Sequence, residues 1–139
     1  KYREDISESL GMLYRVYKFD VSLPLSSAER FIREVKSIFP GEFRYAVFGH
    51  LADGNIHLNI LCPAGMKEQD FRAACGALEE KVYSLIRSCD GSISAEHGIG
   101  LLKKKFLGYS RSQAEILAMK EIKKVFDPAG IMNPGKVFE

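Results

Sequence analysis

Two strand-like runs in the sequence are separated by only four residues. They are residues 43–50 (FRYAVFGH) and residues 55–61 (NIHLNIL). The segment between them, residues 51–54 (LADG), ends in an Asp-Gly pair, which favours a turn with positive φ. The two runs therefore predict an antiparallel β-hairpin, and the register of that hairpin decides which side chains share a face.

A register with His50 opposite Asn55 separates apolar from polar side chains. One face then carries five apolar residues: Tyr45, Val47, Ile56, Leu58 and Ile60. The reverse face carries four polar residues: His50, Asn55, His57 and Asn59. We expect the apolar face to be covered by helices and the polar face to be the side that carries chemistry.

The remaining patterns predict one more strand and three helices. Residues 14–24 alternate as in a half-buried strand that ends at Pro24. Ser26 and Glu29 have the spacing of a capping box, and a helix is expected from there to Pro40. Residues 67–89 predict one long amphipathic helix.

A last helix is expected to open with Ser110 and Gln113. Asp127-Pro128 should stop it before a coiled tail. The order strand, helix, strand, strand, helix predicts an α+β fold of ferredoxin-like type, with an antiparallel sheet and helices on one face. Residues 1–139 are expected to form one domain, because we find no repeat or flexible linker.

Composition excludes several function classes. The 139 residues are 46% hydrophobic and have a formal charge of +2, which argues against a general polyanion binder such as a nucleic-acid protein. No apolar run is long enough to span a membrane, and the first residues lack the apolar core of a signal peptide. Since the sequence begins at Lys1, we expect it to be processed or cut from a longer protein.

Cysteine usage predicts a reducing compartment. Cys62, Cys75 and Cys89 form no C-x-x-C pair and are expected to be small core thiols. The predicted location is the cytoplasm, or the mitochondrial matrix if the source is eukaryotic.

The three histidines lie in two short glycine-rich segments. His50 and His57 would be diagonal neighbours in the hairpin, with Cβ atoms roughly 7 Å apart or less, so that both can bind one metal ion. Glu96, next to His97, could add a carboxylate and leave coordination positions open, as in catalytic sites. Spacing alone leaves this hypothesis beside a simpler one, in which each histidine is an ordinary surface or core residue.

Three segments carry a resemblance to a known family. They are residues 49–60 (GHLADGNIHLNI), residues 91–100 (GSISAEHGIG) and residues 125–138 (VFDPAGIMNPGKVF). In this order and spacing they resemble the carboxy-terminal domain of FAD-linked oxidases of the vanillyl-alcohol oxidase type, over nearly the whole chain. The resemblance implies a flavoenzyme whose FAD-binding domain lies amino-terminal to Lys1, so that this chain is the substrate- and metal-binding domain.

Residues 1–10 and 14–24 are most similar to family members that act on a D-2-hydroxy diacid. The implied activity is an FAD-dependent D-2-hydroxyacid dehydrogenase. It would oxidise D-2-hydroxyglutarate or a similar diacid, such as D-malate, to the 2-oxo acid by metal-assisted proton abstraction and hydride transfer to flavin. The isolated domain is not expected to be active.

Three alternatives stay open at this point. One is a D-lactate or glycolate oxidase-type domain from the same family. Another is a non-catalytic ferredoxin-like module that binds a metal or a small acid. The third is a metal-dependent hydrolase, since two imidazoles and a carboxylate can also activate water.

The resemblance also implies roles for individual residues. The implied metal ligands are His50, His57 and Glu96, with zinc as the usual ion and Mn²⁺ or Fe²⁺ in some relatives. The implied general base is His97. The implied substrate-binding residues are Arg3, Ser7, Lys18 and Asn59, and the implied flavin contacts are Asn133 and Lys136. Simple surface ion pairs, Arg3 with Glu4 or Asp5 and Lys18 with Asp20, are the alternative for the two cations.

The implied partners are a small 2-hydroxy acid, the FAD-binding domain and an electron acceptor such as an electron-transfer flavoprotein or a quinone; a homodimer is also compatible.

Two further sequence features are a short basic run and an alanine in the hairpin turn. Lys103–Lys105 is a short basic run of the kind that usually forms a solvated face. Ala52 stands where the family more often has glycine, which would cost about 1 kcal/mol if that position required positive φ.

Overall fold

The computed structural model of the chain describes residues 4–138 and is built on a three-stranded antiparallel sheet. The strands are β1 (Val16–Ser22), β2 (Arg44–His50) and β3 (Asn55–Leu61). The α-helices are α1 (Glu4–Leu13), α2 (Leu25–Val35), α3 (Glu68–Gly76), α4 (Glu79–Ser88) and α5 (Gln113–Phe126). Two 3-10 segments, Leu51–Asp53 and Lys104–Tyr109, complete the regular structure. The predicted α+β class is confirmed.

The strand order is β1-β3-β2, so that β3 pairs with both of the other strands. His50 lies opposite Asn55 and Val47 lies opposite Leu58, which is the predicted register of the hairpin. On the other side of β3, Phe19 of β1 lies opposite the same Leu58. Apolar side chains from all three strands therefore share one face of the sheet.

That apolar face forms the core with the helices. One hydrophobic cluster joins strand residues to helix residues: Phe19, Val21, Leu58 and Ile60 with Phe31, Val35, Val82 and Ile86. Each of these side chains is at most 1% exposed. Full burial of such a side chain stabilises the folded state by about 1.5–3 kcal/mol. The core thus holds the sheet from one side and leaves the other side for polar groups.

The prediction of a capping box at Ser26 is wrong. Helix α2 begins at Leu25 with Pro24 at the N-cap position, and no side chain caps it. Pro24, with φ near −52°, already sets the chain direction for the helix, so Ser26 falls inside the first turn.

The single long helix expected over residues 67–89 is also wrong. The chain forms α3 and α4 with a break between them, where Leu78 has φ −100° and ψ −8°. Gly76 is a weak helix former at the end of α3, and the break allows both helices to bury their own apolar residues.

The last helix opens two residues later than predicted. Ser112 and Glu115 form a complete capping box at the start of α5. Ser110 serves another purpose, because its hydroxyl accepts a hydrogen bond from the backbone N–H of Ile93 at 2.7 Å. That contact ties the loop after α4 to the segment that leads into α5.

The cysteines lie in or against the hydrophobic core, as predicted. All three thiols are free, with Cys75 and Cys89 buried and Cys62 half-buried. Burial raises the pKa of the Cys75 thiol to about 12. Among the described residues, no helix combines the length and apolar character that a membrane crossing requires.

The hairpin turn has its positive φ at Gly54, as the Asp-Gly pair predicts. Gly54 has φ 65° and closes the 3-10 segment that contains Ala52, so Ala52 itself needs no glycine-like conformation. The backbone N–H of Leu23 donates to the Gly54 carbonyl at 2.9 Å, which joins the turn to the end of β1. A Cβ atom at position 54 would collide with the Leu23 carbonyl oxygen.

Gly54→Ala is therefore expected to lower the free energy of unfolding by about 3 kcal/mol or more, from backbone strain plus the clash. Gly65→Ala is the matched control, since Gly65 has φ 81° but open space around its Cβ position. It should cost only about 1 kcal/mol. Urea unfolding midpoints measure both variants, and equal effects would contradict the close approach of Leu23.

Candidate metal and substrate site

A pocket of about 400 Å³ lies against the polar face of the sheet. Its wall is formed by Ser7, Lys18, Phe19, Asp20, Phe48, His50, His57, Asn59, Glu96, His97 and Lys103. All three strands, helix α1 and the loop that follows α4 contribute to it. Seven of the sequence-predicted site residues are in this wall: Ser7, Lys18, His50, His57, Asn59, Glu96 and His97.

The register of the sheet builds most of the wall. Asp20 of β1 lies opposite His57 of β3, and Lys18 lies opposite Asn59. On the other side, Phe48 of β2 also lies opposite His57. Because alternate residues of a strand face the same side, these polar side chains emerge together.

Asp20 holds the distant loop against the sheet. Its side chain is buried, with 4% of the residue exposed. Its Oδ2 atom accepts the backbone N–H of Glu96 at 3.1 Å and the backbone N–H of His97 at 3.0 Å. These two hydrogen bonds bring Glu96 and His97 beside the hairpin histidines, as the hypothesis of a shared site required.

His57 lies between two carboxylates. Its Nδ1 atom is 3.6 Å from Asp20 Oδ1, and its Nε2 atom is 3.5 Å from Glu96 Oε1. Burial lowers the pKa of His57 below its ordinary value, although the charges of Asp20 and Glu96 act in the opposite direction. The imidazole is therefore mainly neutral at pH 7, which is the form that binds metal ions.

Among the described residues, the potential metal ligands Asp20, His57 and Glu96 form one close group. One donor atom from each lies within 4.8 Å of the others. Predicted ligands His57 and Glu96 are thus brought together, and Asp20 joins them although it was not predicted. His50 lines the same pocket, with its ring centroid 6.5 Å from that of His57 and its Nδ1 3.9 Å from Asp53 Oδ2. A role for His50 as ligand stays a prediction.

His97 is the most exposed of the three histidines. Its Nδ1 atom lies 3.2 Å from Asp20 Oδ2 and its Nε2 atom lies 3.8 Å from Glu96 Oε1. The side chain is 66% exposed, and its ring centroid is 6.0 Å from that of His57. His97 is thus placed beside the candidate ligands, and its role as general base stays a prediction.

The predicted substrate contacts line the same pocket where the structure describes them. Lys18 Nζ donates a hydrogen bond to the Ser7 hydroxyl at 3.4 Å. Asn59 is 1% exposed, and its Nδ2 atom has no hydrogen-bond partner among residues 4–138. Arg3 lies outside the described residues.

The two predicted flavin contacts do not line this pocket. Asn133 and Lys136 lie in the exposed tail after α5, where the Lys136 Nζ atom bonds the Pro134 carbonyl at 3.3 Å. The backbone N–H of Val137 donates to the Gly100 carbonyl at 2.9 Å and ties the tail to the glycine-rich loop. Contact of the tail with flavin stays a prediction.

The solvated face expected for Lys103–Lys105 is wrong at Lys103. Its half-buried Nζ atom donates to the carbonyl oxygens of Asp20 at 3.1 Å and Ile93 at 2.9 Å. Burial lowers the pKa of Lys103, while the charge of Asp20 opposes that shift. Nothing in a run of three lysines distinguishes the one that turns inward.

Asp20 is the other charged residue of the pocket that sequence reasoning missed. Burial alone would raise its pKa, but hydrogen bonds from the N–H groups of His97 and Glu96, with the charges of His97 and Lys103, hold the pKa below its ordinary value. Asp20 is therefore ionised at neutral pH. Its alternation with Lys18 in β1 was a signal of the correct face, although not of its burial.

Comparison with known proteins assigns the domain. The family model of the FAD linked oxidases, C-terminal domain, matches residues 1–137. The chain belongs to this family. The resemblance of its three glycine-containing segments is thereby confirmed.

Curated relatives of this FAD-linked oxidase domain are longer proteins. It is 45% identical to the D-2-hydroxyglutarate dehydrogenase of Stutzerimonas stutzeri strain A1501, over 99% of this chain and 30% of that protein. It is 43% identical to a D-2-hydroxyglutarate dehydrogenase of Xanthomonas citri pv. viticola, over 100% of this chain and 30% of that protein. A mitochondrial D-2-hydroxyglutarate dehydrogenase of Rattus norvegicus is 38% identical, over 96% of this chain and 24% of that protein. The chain thus spans less than a third of each.

Lys103→Met is expected to lower the free energy of unfolding by about 1–3 kcal/mol, because it leaves two buried carbonyl groups without a donor. Lys81→Met is the control, since Lys81 is an exposed lysine of α4. That change should stay within about 0.5 kcal/mol. Urea unfolding of both variants measures the difference, and a Lys103 variant as stable as the control would refute the anchoring role.

Proposed function

We propose that this domain supplies the substrate and metal site of an FAD-dependent D-2-hydroxyacid dehydrogenase. The proposed reaction oxidises a D-2-hydroxy diacid, such as D-2-hydroxyglutarate, to the 2-oxo acid. One observation carries the proposal: His57 Nε2 faces Glu96 inside a pocket that also holds Lys18, Asn59 and His97. The names of the three relatives support the substrate class.

The donor atoms fit a divalent cation. A neutral imidazole and a carboxylate are ligands that Zn²⁺ prefers, and Mn²⁺ or Fe²⁺ accept the same set. The Nδ1 atom of His57 faces Asp20 and the Nε2 atom faces Glu96, so a single ion can bind to only one of the two nitrogens. Asp20 is buried on the Nδ1 side, whereas Glu96 on the Nε2 side is half exposed and shares the pocket with His50. We therefore place the ion on the Nε2 side, with His50, His57 and Glu96 as ligands.

Lys18 and Asn59 would bind and orient the diacid. The Lys18 ammonium group, beside the Ser7 hydroxyl, can pair with the carboxylate distant from the reacting carbon. The buried Asn59 amide has a donor without a partner among the described residues, and a substrate oxygen would satisfy it. The two residues lie opposite each other on β1 and β3, which fixes their separation.

His97 would remove the hydroxyl proton. Its Nδ1 atom faces Asp20, so the proton is accepted at Nε2, the atom on the Glu96 side of the ring. A bound divalent cation supplies the charge that lowers the pKa of an alcohol by several units. FAD, bound mainly by a domain outside this chain and contacted by Asn133 and Lys136, supplies the acceptor for the C2 hydride. Proton and hydride together account for the two electrons and two hydrogens that the alcohol loses.

The remaining partners follow from this reaction. Reduced flavin must be reoxidised, so we propose an electron acceptor such as an electron-transfer flavoprotein or a quinone. The proposed location is the cytoplasm, or the mitochondrial matrix in a eukaryote, in keeping with the mitochondrial name of the rat relative.

His57→Ala in the intact protein should lose the bound metal and reduce turnover of D-2-hydroxyglutarate by about 100-fold or more, because a ligand is removed. Metal content and turnover of the purified protein measure the two effects, with Lys81→Met as the control that keeps both. Retention of metal and full turnover by the His57 variant would refute the proposed site.

Lys18→Met should lower kcat/KM for D-2-hydroxyglutarate by about 10- to 100-fold, the effect of losing a hydrogen bond to a charged group. D-lactate is the matched control substrate, because it has no second carboxylate for Lys18 to bind. Its kcat/KM should change by less than about 3-fold, a difference well below one such hydrogen bond. Equal losses for both substrates would contradict the assignment of Lys18 to the distal carboxylate.

A further inference from the structure

We infer that Asp20 is a positioning residue that fixes the tautomers of two imidazoles, so that His57 and His97 both present Nε2 to the pocket. This inference rests on the proposed function, because the two Nε2 atoms have the roles given there. It assigns to one buried carboxylate the orientation of both a metal ligand and the base.

The two oxygens of Asp20 have different surroundings. Oδ2 accepts the backbone N–H groups of Glu96 and His97. Oδ1 is buried and has no hydrogen-bond partner among the described residues. A buried carboxylate oxygen without a donor is costly, so a donor is expected to face it.

His57 Nδ1 faces that oxygen. The 3.6 Å between Asp20 Oδ1 and His57 Nδ1 is longer than a formed hydrogen bond, so the two atoms must approach by a few tenths of an ångström for the bond to form. Nδ1 can donate a hydrogen bond to Asp20 only if it carries the proton. The lone pair of Nε2 is then free for the cation, on the side where Glu96 lies.

The same argument applies to His97. Its Nδ1 atom is 3.2 Å from Asp20 Oδ2, within reach of a hydrogen bond to the carboxylate. With the proton on Nδ1, the Nε2 atom is the one that can accept a proton from substrate. Asp20 thus faces the Nδ1 edge of both rings, and the reacting edges point away from it.

Asp20→Asn in the intact protein tests this role, because it keeps the shape of the side chain. The amide oxygen must continue to accept the N–H groups of Glu96 and His97, which directs the NH₂ group toward His57. The NH₂ group can donate a hydrogen bond only to an unprotonated Nδ1. The His57 proton then moves to Nε2, so that Nε2 has no lone pair for the metal ion. Zn²⁺ titrated into metal-stripped protein should bind about 10- to 100-fold more weakly, with kcat reduced to a similar extent.

Asp127→Asn is the matched control. Asp127 is also a buried aspartate that accepts two backbone N–H groups, from Ile131 and Met132, and it forms an ion pair with Lys123. Its substitution should leave Zn²⁺ affinity within about 3-fold of that of the unchanged protein, well short of the loss expected from an orienting partner.

A measurement on the unchanged protein keeps the test independent of whether the Asp20 variant folds. In ¹⁵N-histidine NMR of the intact, metal-free protein, His57 and His97 should both carry the proton on Nδ1. If Asp20→Asn also folds, the same measurement on that variant should show the His57 proton on Nε2, a shift that replacing a residue with a purely structural role would not cause.

The outcomes distinguish a failure of the positioning role of Asp20 from a failure of the proposed function. If His57→Ala loses metal while Asp20→Asn binds Zn²⁺ and turns over like the unchanged protein, the positioning role is overturned and the proposed function stands. An Nε2-protonated His57 in the unchanged metal-free protein also overturns the positioning role. If His57→Ala keeps both metal and turnover, the proposed function itself fails.

Discussion

The junction between Asp20 and the backbone of Glu96 and His97 is the contact on which the pocket depends. Glu96 and His97 follow α4 and are far along the chain from the hairpin, and a β-bridge between Ser22 and Ser92 brings the start of their loop to β1. Two hydrogen bonds from their own N–H groups to one carboxylate oxygen of Asp20 then hold them beside the hairpin histidines. The buried charge of Asp20 is stabilised by these bonds, and in return it determines where the loop lies.

The two faces of the sheet divide the work of the domain. The apolar face packs with α2 and α4 and supplies the stability of the fold, whereas the polar face carries ionisable groups whose protonation is set by their neighbours. Lys103, in the wall of the pocket, donates hydrogen bonds to the backbone of both β1 and the loop after α4. A polar site of this kind can keep an exact geometry because every strand that carries it is fixed from the other side.

Local sequence patterns predicted the hairpin, but they did not predict contacts between segments that are far apart in the chain. The alternation of residues 43–50 and 55–61, with an Asp-Gly turn between them, was sufficient to fix the register and the face of His57 and Asn59. The helix starts were harder to predict, because several serines lie where an N-cap could be. The N-cap residue of α2 is Pro24 and not Ser26, and that of α5 is Ser112 and not Ser110.

The candidate site was predictable only in part. Spacing grouped His50 with His57, but the approach of Glu96 rested on the family resemblance, since its anchoring depends on a contact with β1 that no periodicity encodes. The sequence indicated that Asp20 is a surface ion-pair partner of Lys18. It also indicated that Lys103 is one of three solvated lysines. Asp20 is buried, and Lys103 half-buried, where the segment between α4 and α5 packs against β1, and the path of that segment cannot be inferred from residue patterns.

Anomalous diffraction at the zinc edge, from crystals of the intact protein loaded with Zn²⁺, tests the central claim most directly. The account predicts a peak about 2.0–2.2 Å from His57 Nε2 and from a Glu96 carboxylate oxygen, with Asp20 outside the coordination sphere. A peak bonded to Asp20 or to His57 Nδ1, or an empty pocket in crystals that hold zinc elsewhere, would contradict it.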